Sequence, residues 1–188
     1  MKKLAIFASG SGSNAENLIR FFQNHPDVRI SLVYSNKADA YVLERIKPYQ
    51  IPGRVMDKNA LVDGSLLKEL EKEGVNMIVL AGFLKLVPFA FIQSFKGPII
   101  NLHPSLLPAY GGKGMHGMHV HEAVIAAKEK QSGITIHHVN EQYDQGAIIK
   151  QYTTDVAHDD TPSTLASKIH DLEMTYLPVV VEQVALQL

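Results

Sequence analysis

The 188 residues include no cysteine and no tryptophan. Without thiols there is no disulfide, no thiolate metal site and no cysteine nucleophile. An excess of charge is also missing, since 18 Lys+Arg stand against 19 Asp+Glu for a formal charge of -1. That balance leaves no basic footprint for nucleic acid and no acidic tail. No apolar run approaches the ~20 residues of a membrane-spanning helix. The stretch after Met1-Lys2-Lys3 is cut by Ser9-Gly10-Ser11-Gly12, which is too early for a signal peptide. No linker, repeat or low-complexity tract interrupts the chain. The remaining composition, 46% hydrophobic and 20% charged, is that of a globular protein with a real core. We expect one α/β domain over residues 1–188, located in the cytoplasm, with no nucleic acid or membrane as partner.

Residues 4–8 form an apolar run closed by glycine, as in a central parallel strand. A loop over 9–13 follows, and a helix begins near Asn14 with Leu18, Ile19 and Phe22 at helical spacing. Residues 29–35 alternate as a second strand, 40–49 read as a second helix, and 53–56 as a short strand. A helix over 65–73 and a buried strand over 77–81 complete a βαβαβαβ order, which implies a mostly parallel sheet. After residue 108 the grammar changes. Residues 109–117 hold four glycines and read as a mobile loop. Val120, Ala123, Val124 and Ala127 mark one helix face. The strands 134–139 and 147–154 are joined by too little chain for a parallel crossover, so they should pair antiparallel. Asp160-Thr161-Pro162 starts a long C-terminal helix, with Asp160 or Thr161 as cap. The expected architecture is Rossmann-like: a mixed, mostly parallel sheet with helices on both faces and antiparallel strands late in the chain.

The chemistry centres on Asn101-Leu102-His103-Pro104. The apolar residues 98–100 lead into it as a strand, and alternation places Asn101 and His103 on one side. Proline then ends the strand. An amide and an imidazole are thus held at a strand's C-terminal end, where open α/β sheets bind ligands. The pair suits acyl transfer, with His for proton movement and Asn as donor to an oxyanion. A strand ending in a polar turn is the plain alternative. Gly10-Ser11-Gly12-Ser13-Asn14-Ala15 is a permissive dinucleotide fingerprint, but the second strand ends Tyr34-Ser35-Asn36-Lys37 without the ribose-binding acid. The loop therefore suits a phosphate rather than NAD, or is a tight turn. Asp144, in a polar turn, matters if it reaches His103, because a nearby carboxylate favours imidazolium.

A metal site is not expected. His116, His119 and His121 are close in sequence but match no ligand pattern, and His121 should sit at a helix start or the surface. His137 shares a strand face with Thr135 and Val139, so a structural or supporting role is open. Ser105 lacks a nucleophile-elbow context.

Together, the segment 101–108, Ser9-Gly10-Ser11-Gly12-Ser13-Asn14, Ser35-Asn36-Lys37-Ala38-Asp39-Ala40, Ala81-Gly82-Phe83 and Tyr143-Asp144-Gln145-Gly146 resemble the folate-dependent formyltransferases. The likeness covers nearly the whole chain. It implies a formyl transfer in purine (IMP) biosynthesis, with 10-formyltetrahydrofolate as donor and glycinamide ribonucleotide as acceptor. Asn101, His103 and Asp144 match the family's catalytic residues, with Asp144 keeping His103 protonated near neutral pH. Gly12, Ser13 and Asn14 match its phosphate loop, so residues 1–100 would be the phosphate-binding half and 101–188 the catalytic and folate-binding half. Glu173, with His170 a turn earlier, matches a substrate contact. Leu84, Lys85, Leu86 and Val87 match the segment lining the folate pocket, where Asn101 also contributes. An arginine common in the family ahead of the third helix has no counterpart, and Lys58 is the nearest cation. The resemblance implies a monomer or homodimer and no metal. Readings that stay open are formyltetrahydrofolate hydrolysis or another folate-dependent transfer, a nucleotide-binding oxidoreductase, and a non-catalytic ligand-binding module. Relatives acting on tRNA carry a further C-terminal domain, which is not expected here.

Overall fold

A computed structural model describes residues 1–188. Its first strand, β1 (Lys2–Phe7), is buried without interruption from Leu4 to Phe7, as a strand covered on both faces must be. It pairs in parallel with β2 (Val28–Ser35) and β4 (Met77–Leu80), and β2 pairs in parallel with β3 (Gly53–Val55). The helices between them are α1 (Ser13–Phe22), α2 (Val42–Arg45) and α3 (Ser65–Glu73). Then come α4 (Phe89–Ser94), β5 (Ile99–His103), α5 (Met118–Ala126), β6 (Gln131–His138), β7 (Ile148–Asp155) and α6 (Pro162–Leu186). The seven strands follow the order β3-β2-β1-β4-β5-β6-β7, and β6 and β7 are antiparallel.

The chain forms two compact units, residues 1–100 with 181–188, and residues 101–180. In the first, Leu18, Ile19 and Phe22 of α1 and Leu66 and Leu70 of α3 are buried. Phe7 meets Tyr34 and Phe83 edge-on, with ring centroids 5.6 and 5.5 Å apart. In the second, the core is built from Leu102, Val120, Val124, Ile134, Ile136, Leu165 and Ile169.

The helix expected over 40–49 is only one turn of α2, followed by a 3-10 turn at Lys47–Tyr49. Pro48 has no N–H to continue the α ladder. Helix α4 was not anticipated. Its residues Phe-Ala-Phe-Ile carry no polar alternation, so the signal of an amphipathic helix is absent.

Helix α6 starts as its sequence suggests. The Thr161 Oγ1 accepts the Thr164 N–H at 3.2 Å, and the Thr161 N–H is returned to Thr164 Oγ1 at 2.9 Å, a reciprocal cap. Thr161→Ala should cost about 1 kcal/mol. Thermal unfolding followed by circular dichroism should show a fall of roughly 2–4 °C in Tm.

Candidate active site

Asn101 and His103 lie on one face of β5, with His103 only 4% exposed. His103 Nε2 donates to the Tyr110 carbonyl at 2.8 Å. A carbonyl only accepts, so this nitrogen carries the proton. Nδ1 then faces Asp144 Oδ1 at 3.5 Å. The same carboxylate oxygen accepts from Asn101 Nδ2 at 3.3 Å, and its partner Oδ2 accepts the Gly112 N–H at 2.9 Å. Asn101, His103 and Asp144, distant in sequence, thus converge on one carboxylate.

A second imidazole completes the cluster. His137 Nδ1 donates to the His138 carbonyl at 2.8 Å, so Nε2 is left to accept from Asn101 Nδ2 at 3.1 Å. Asp144 and His137 together turn the NH2 end of the Asn101 amide toward themselves. A register shift between Ile136 and His137 in the β6–β7 pair aims this residue, which is 2% exposed. Below it, Thr135 Oγ1 donates to the Ser105 carbonyl at 2.6 Å and accepts the Leu107 N–H at 3.0 Å. Gln151 Nε2 reaches both Thr135 Oγ1 and the Leu107 carbonyl at 2.9 Å. These bonds hold the turn after β5, in which Leu107–Pro108 is cis.

The 109–117 segment was read from its glycines as a loop, and its first part is built into the site. The Tyr110 carbonyl fixes His103, and the Gly112 amide fixes Asp144. A side chain at Gly111 would come within 2.5 Å of Leu107 Cδ2 and 3.3 Å of Asp144 Cβ, which explains the glycine between them.

Burial is the largest influence on His103 and lowers its pKa. The Asp144 carboxylate and the Tyr110 carbonyl oppose this, and the net direction is still downward. The expectation that Asp144 keeps His103 protonated at neutral pH is therefore corrected: desolvation of the imidazolium outweighs a carboxylate 3.5 Å away. Burial raises Asp144, but the imidazoles of His137 and His103 when protonated, and the Gly112 N–H, together take it below its ordinary value. At neutral pH the pair is a carboxylate beside a neutral imidazole.

The other sequence candidates fall as follows. Gly12, φ 76°, caps α1, and a Cβ there would meet the Val42 backbone and side chain within 2.8 Å. Ser13 and Asn14 open that helix. Ser9 Oγ donates to Asn36 Oδ1 at 2.6 Å and accepts the Leu84 N–H at 3.0 Å, which ties the glycine loop to strand ends. Leu84 and Leu86 are exposed, Val87 is buried, and Lys85 Nζ donates to the Lys58 carbonyl at 3.0 Å. Arg54, the arginine preceding Lys58, is committed to Glu69 and Glu73. His170 Nδ1 and Glu173 Oε2 lie 3.4 Å apart on α6. His121, expected at a helix start or the surface, is in the first turns of α5 but buried, and burial pushes its pKa down. His116 and His119 stack edge-on, and no group of three or more His, Asp or Glu is placed to hold a metal ion.

The sequence leaves His137 a structural or supporting role, and the site uses it so; Thr135 and Tyr110 are not among the sequence candidates. The period-two pattern of β6 hinted at Thr135. Tyr110 acts through its backbone carbonyl, which leaves no trace in sequence.

The chain belongs to the formyl transferase family, whose model matches residues 2–181. Its relatives include enzymes named phosphoribosylglycinamide formyltransferase. The chloroplastic one of Arabidopsis thaliana is 40% identical over 95% of this chain and 64% of its own length. The Bacillus subtilis one is 35% identical over 97% and 94%. This chain thus spans less than two thirds of the plant relative. A crystal structure of phosphoribosylglycinamide formyltransferase from Anaplasma phagocytophilum superposes with a TM-score of 0.88 at 34% identity, covering 99% of this chain and 88% of that one.

His103 should titrate below the ordinary value of 6.5 when followed by NMR of its imidazole. Asp144→Asn should move it lower still, because the variant loses the anion that favours imidazolium. An upward move would contradict the balance described here. At Gly146, a Cβ would sit 1.6 Å from the His138 carbonyl that fixes His137. Gly146→Ala should cost on the order of 1–3 kcal/mol in denaturant unfolding.

Proposed function

We propose that this chain transfers a formyl group from 10-formyltetrahydrofolate to the amine of glycinamide ribonucleotide, a step in purine biosynthesis. The observation that carries this reading is the convergence of Asn101, His103 and Asp144 within 3.5 Å, in a family of formyl transferases. The names of the relatives support the acceptor and the group transferred.

The amine nitrogen attacks the formyl carbon, and the carbonyl oxygen becomes an oxyanion. Asn101 is the donor for that charge. Its bond to Asp144 is long, 3.3 Å, and is the one most readily exchanged for the oxyanion. His103 rests neutral with Nδ1 unprotonated, so it takes the proton that the attacking amine must lose. Asp144 then stabilises the imidazolium it faces. The same proton passes to the folate nitrogen as the carbon–nitrogen bond to the donor breaks. One bond forms, one breaks, and no net proton is gained. The route calls on no metal ion and no covalent enzyme intermediate. Both substrates are small molecules.

Gly12, Ser13 and Asn14 take the ribonucleotide phosphate, for which the amide-rich start of α1 is suited. His170 and Glu173 contact the ribonucleotide. Leu84, Lys85, Leu86 and Val87 receive the folate, with Lys58 as the cation on that side.

The test is a spectrophotometric assay with both substrates, omitting each in turn. His103→Ala and Asn101→Ala should each lower turnover on the order of 100- to 1000-fold. Near-normal turnover in His103→Ala would end the assignment. Formate release at full rate without the amine would replace transfer by hydrolysis.

A further inference from the structure

Tyr110 has φ 55°, a left-handed backbone that a bulky side chain holds only when its surroundings impose it. In that conformation its carbonyl reaches His103 Nε2 at 2.8 Å. Neighbours on both sides are anchored: the Ala109 carbonyl accepts from Ser105 Oγ at 2.6 Å, and the Gly112 amide donates to Asp144. Neither bond fixes the Tyr110 φ, about which its side chain and its carbonyl turn together. The Tyr110 side chain supplies the remaining restraint. Its hydroxyl donates to Glu129 Oε1 at 2.8 Å.

Glu129 is itself held by the end of α5. Lys128 adopts φ 55°, its N–H reaches the Ile125 carbonyl at 3.0 Å, and the Glu129 N–H reaches the Val124 carbonyl at 3.3 Å. This is a Schellman-type stop, and α5 is seated through buried Val120 and Val124.

We propose that Tyr110 and Glu129 form a positioning pair for His103, in which the Tyr110–Glu129 hydrogen bond holds the left-handed backbone whose carbonyl selects the Nε2–H tautomer of the imidazole. Both act through the His103 imidazole. The consequence is chemical. If Tyr110 relaxes to negative φ, its carbonyl turns away and Nε2 loses its acceptor. The neutral ring then gains by moving its proton to Nδ1, where it meets Asp144 at 3.5 Å. In that tautomer the nitrogen that faces the carboxylate has no lone pair to take a proton from an amine. The inference rests on the base role given to His103 above.

The experiment uses Tyr110→Phe, Glu129→Ala, Glu129→Gln and the double variant Tyr110→Phe/Glu129→Ala in the full chain. Imidazole 15N shifts of His103 above its pKa report the tautomer without any assay. The parent protein should show the Nε2–H form, and Tyr110→Phe and Glu129→Ala a mixture with Nδ1–H. Turnover at saturating substrates should fall roughly two- to fivefold in each, the range of one charge-assisted hydrogen bond in an exposed setting, with KM for both substrates unchanged. The double variant should be no worse than either single one. Glu129→Gln should retain most of the turnover, since its amide oxygen still accepts from the hydroxyl. An unchanged tautomer in Tyr110→Phe and Glu129→Ala overturns the pairing, as does a Glu129→Gln protein as slow as Glu129→Ala. A shifted tautomer with unchanged turnover upholds the pairing and instead removes the base role of His103.

Discussion

One carboxylate organises the candidate active site of this protein. Asp144 lies in the turn between β6 and β7, with φ 55°, and its two oxygens gather groups from separate parts of the chain. Asn101 from the end of β5 and the Gly112 amide from the following loop donate to it, and His103 Nδ1 faces it. A largely buried anion must be met by donors or it neutralises. That requirement draws a strand end, a loop and a hairpin turn into one arrangement. It also explains why the loop after residue 109, despite its glycines, is bonded to the site at Tyr110 and Gly112.

The balance between charge and burial decides what His103 is. Proximity to a carboxylate argues for imidazolium, and burial argues against it. Here burial is the larger influence, so the ring rests neutral and the carboxylate becomes a latent partner for the proton once it arrives. That state fits the role proposed for it, accepting a proton from an amine and handing it to a leaving nitrogen. A permanently charged histidine could stabilise an oxyanion but could not begin by taking that proton. The hydrogen bonds to backbone carbonyls matter as much as the acid. Those at Tyr110 and His138 choose which nitrogen of each imidazole carries its hydrogen.

Much of this was legible in the sequence. Continuous apolar runs at β1 and β4 marked interior strands, and the short joint between the late strands required an antiparallel pair. The motif 101–104 showed two chemical groups on one strand face. Where the reading failed, a local rule was missing or was overridden. The second helix, expected to run until near Pro48, closes after one turn at Arg45 and gives way to a 3-10 turn that holds the proline. The uniformly apolar α4 offered no amphipathic signal. His121, polar by type, was buried by the packing of its helix.

The sequence by itself determined the strand-and-helix order, the placement of Asn101 and His103 on one side of a strand, and the kinds of group available for acyl chemistry, because these depend on alternation and on proline and glycine over a few residues. Tertiary structure alone decided which atoms face one another. The tautomers of His103 and His137, the orientation of the Asn101 amide and the protonation of the histidine beside Asp144 follow from backbone carbonyls, from desolvation and from contacts between residues 30 or more positions apart. Hydrogen bonding and dielectric are properties of an enclosed space, and a linear order of residues does not describe that space until the chain has closed around it.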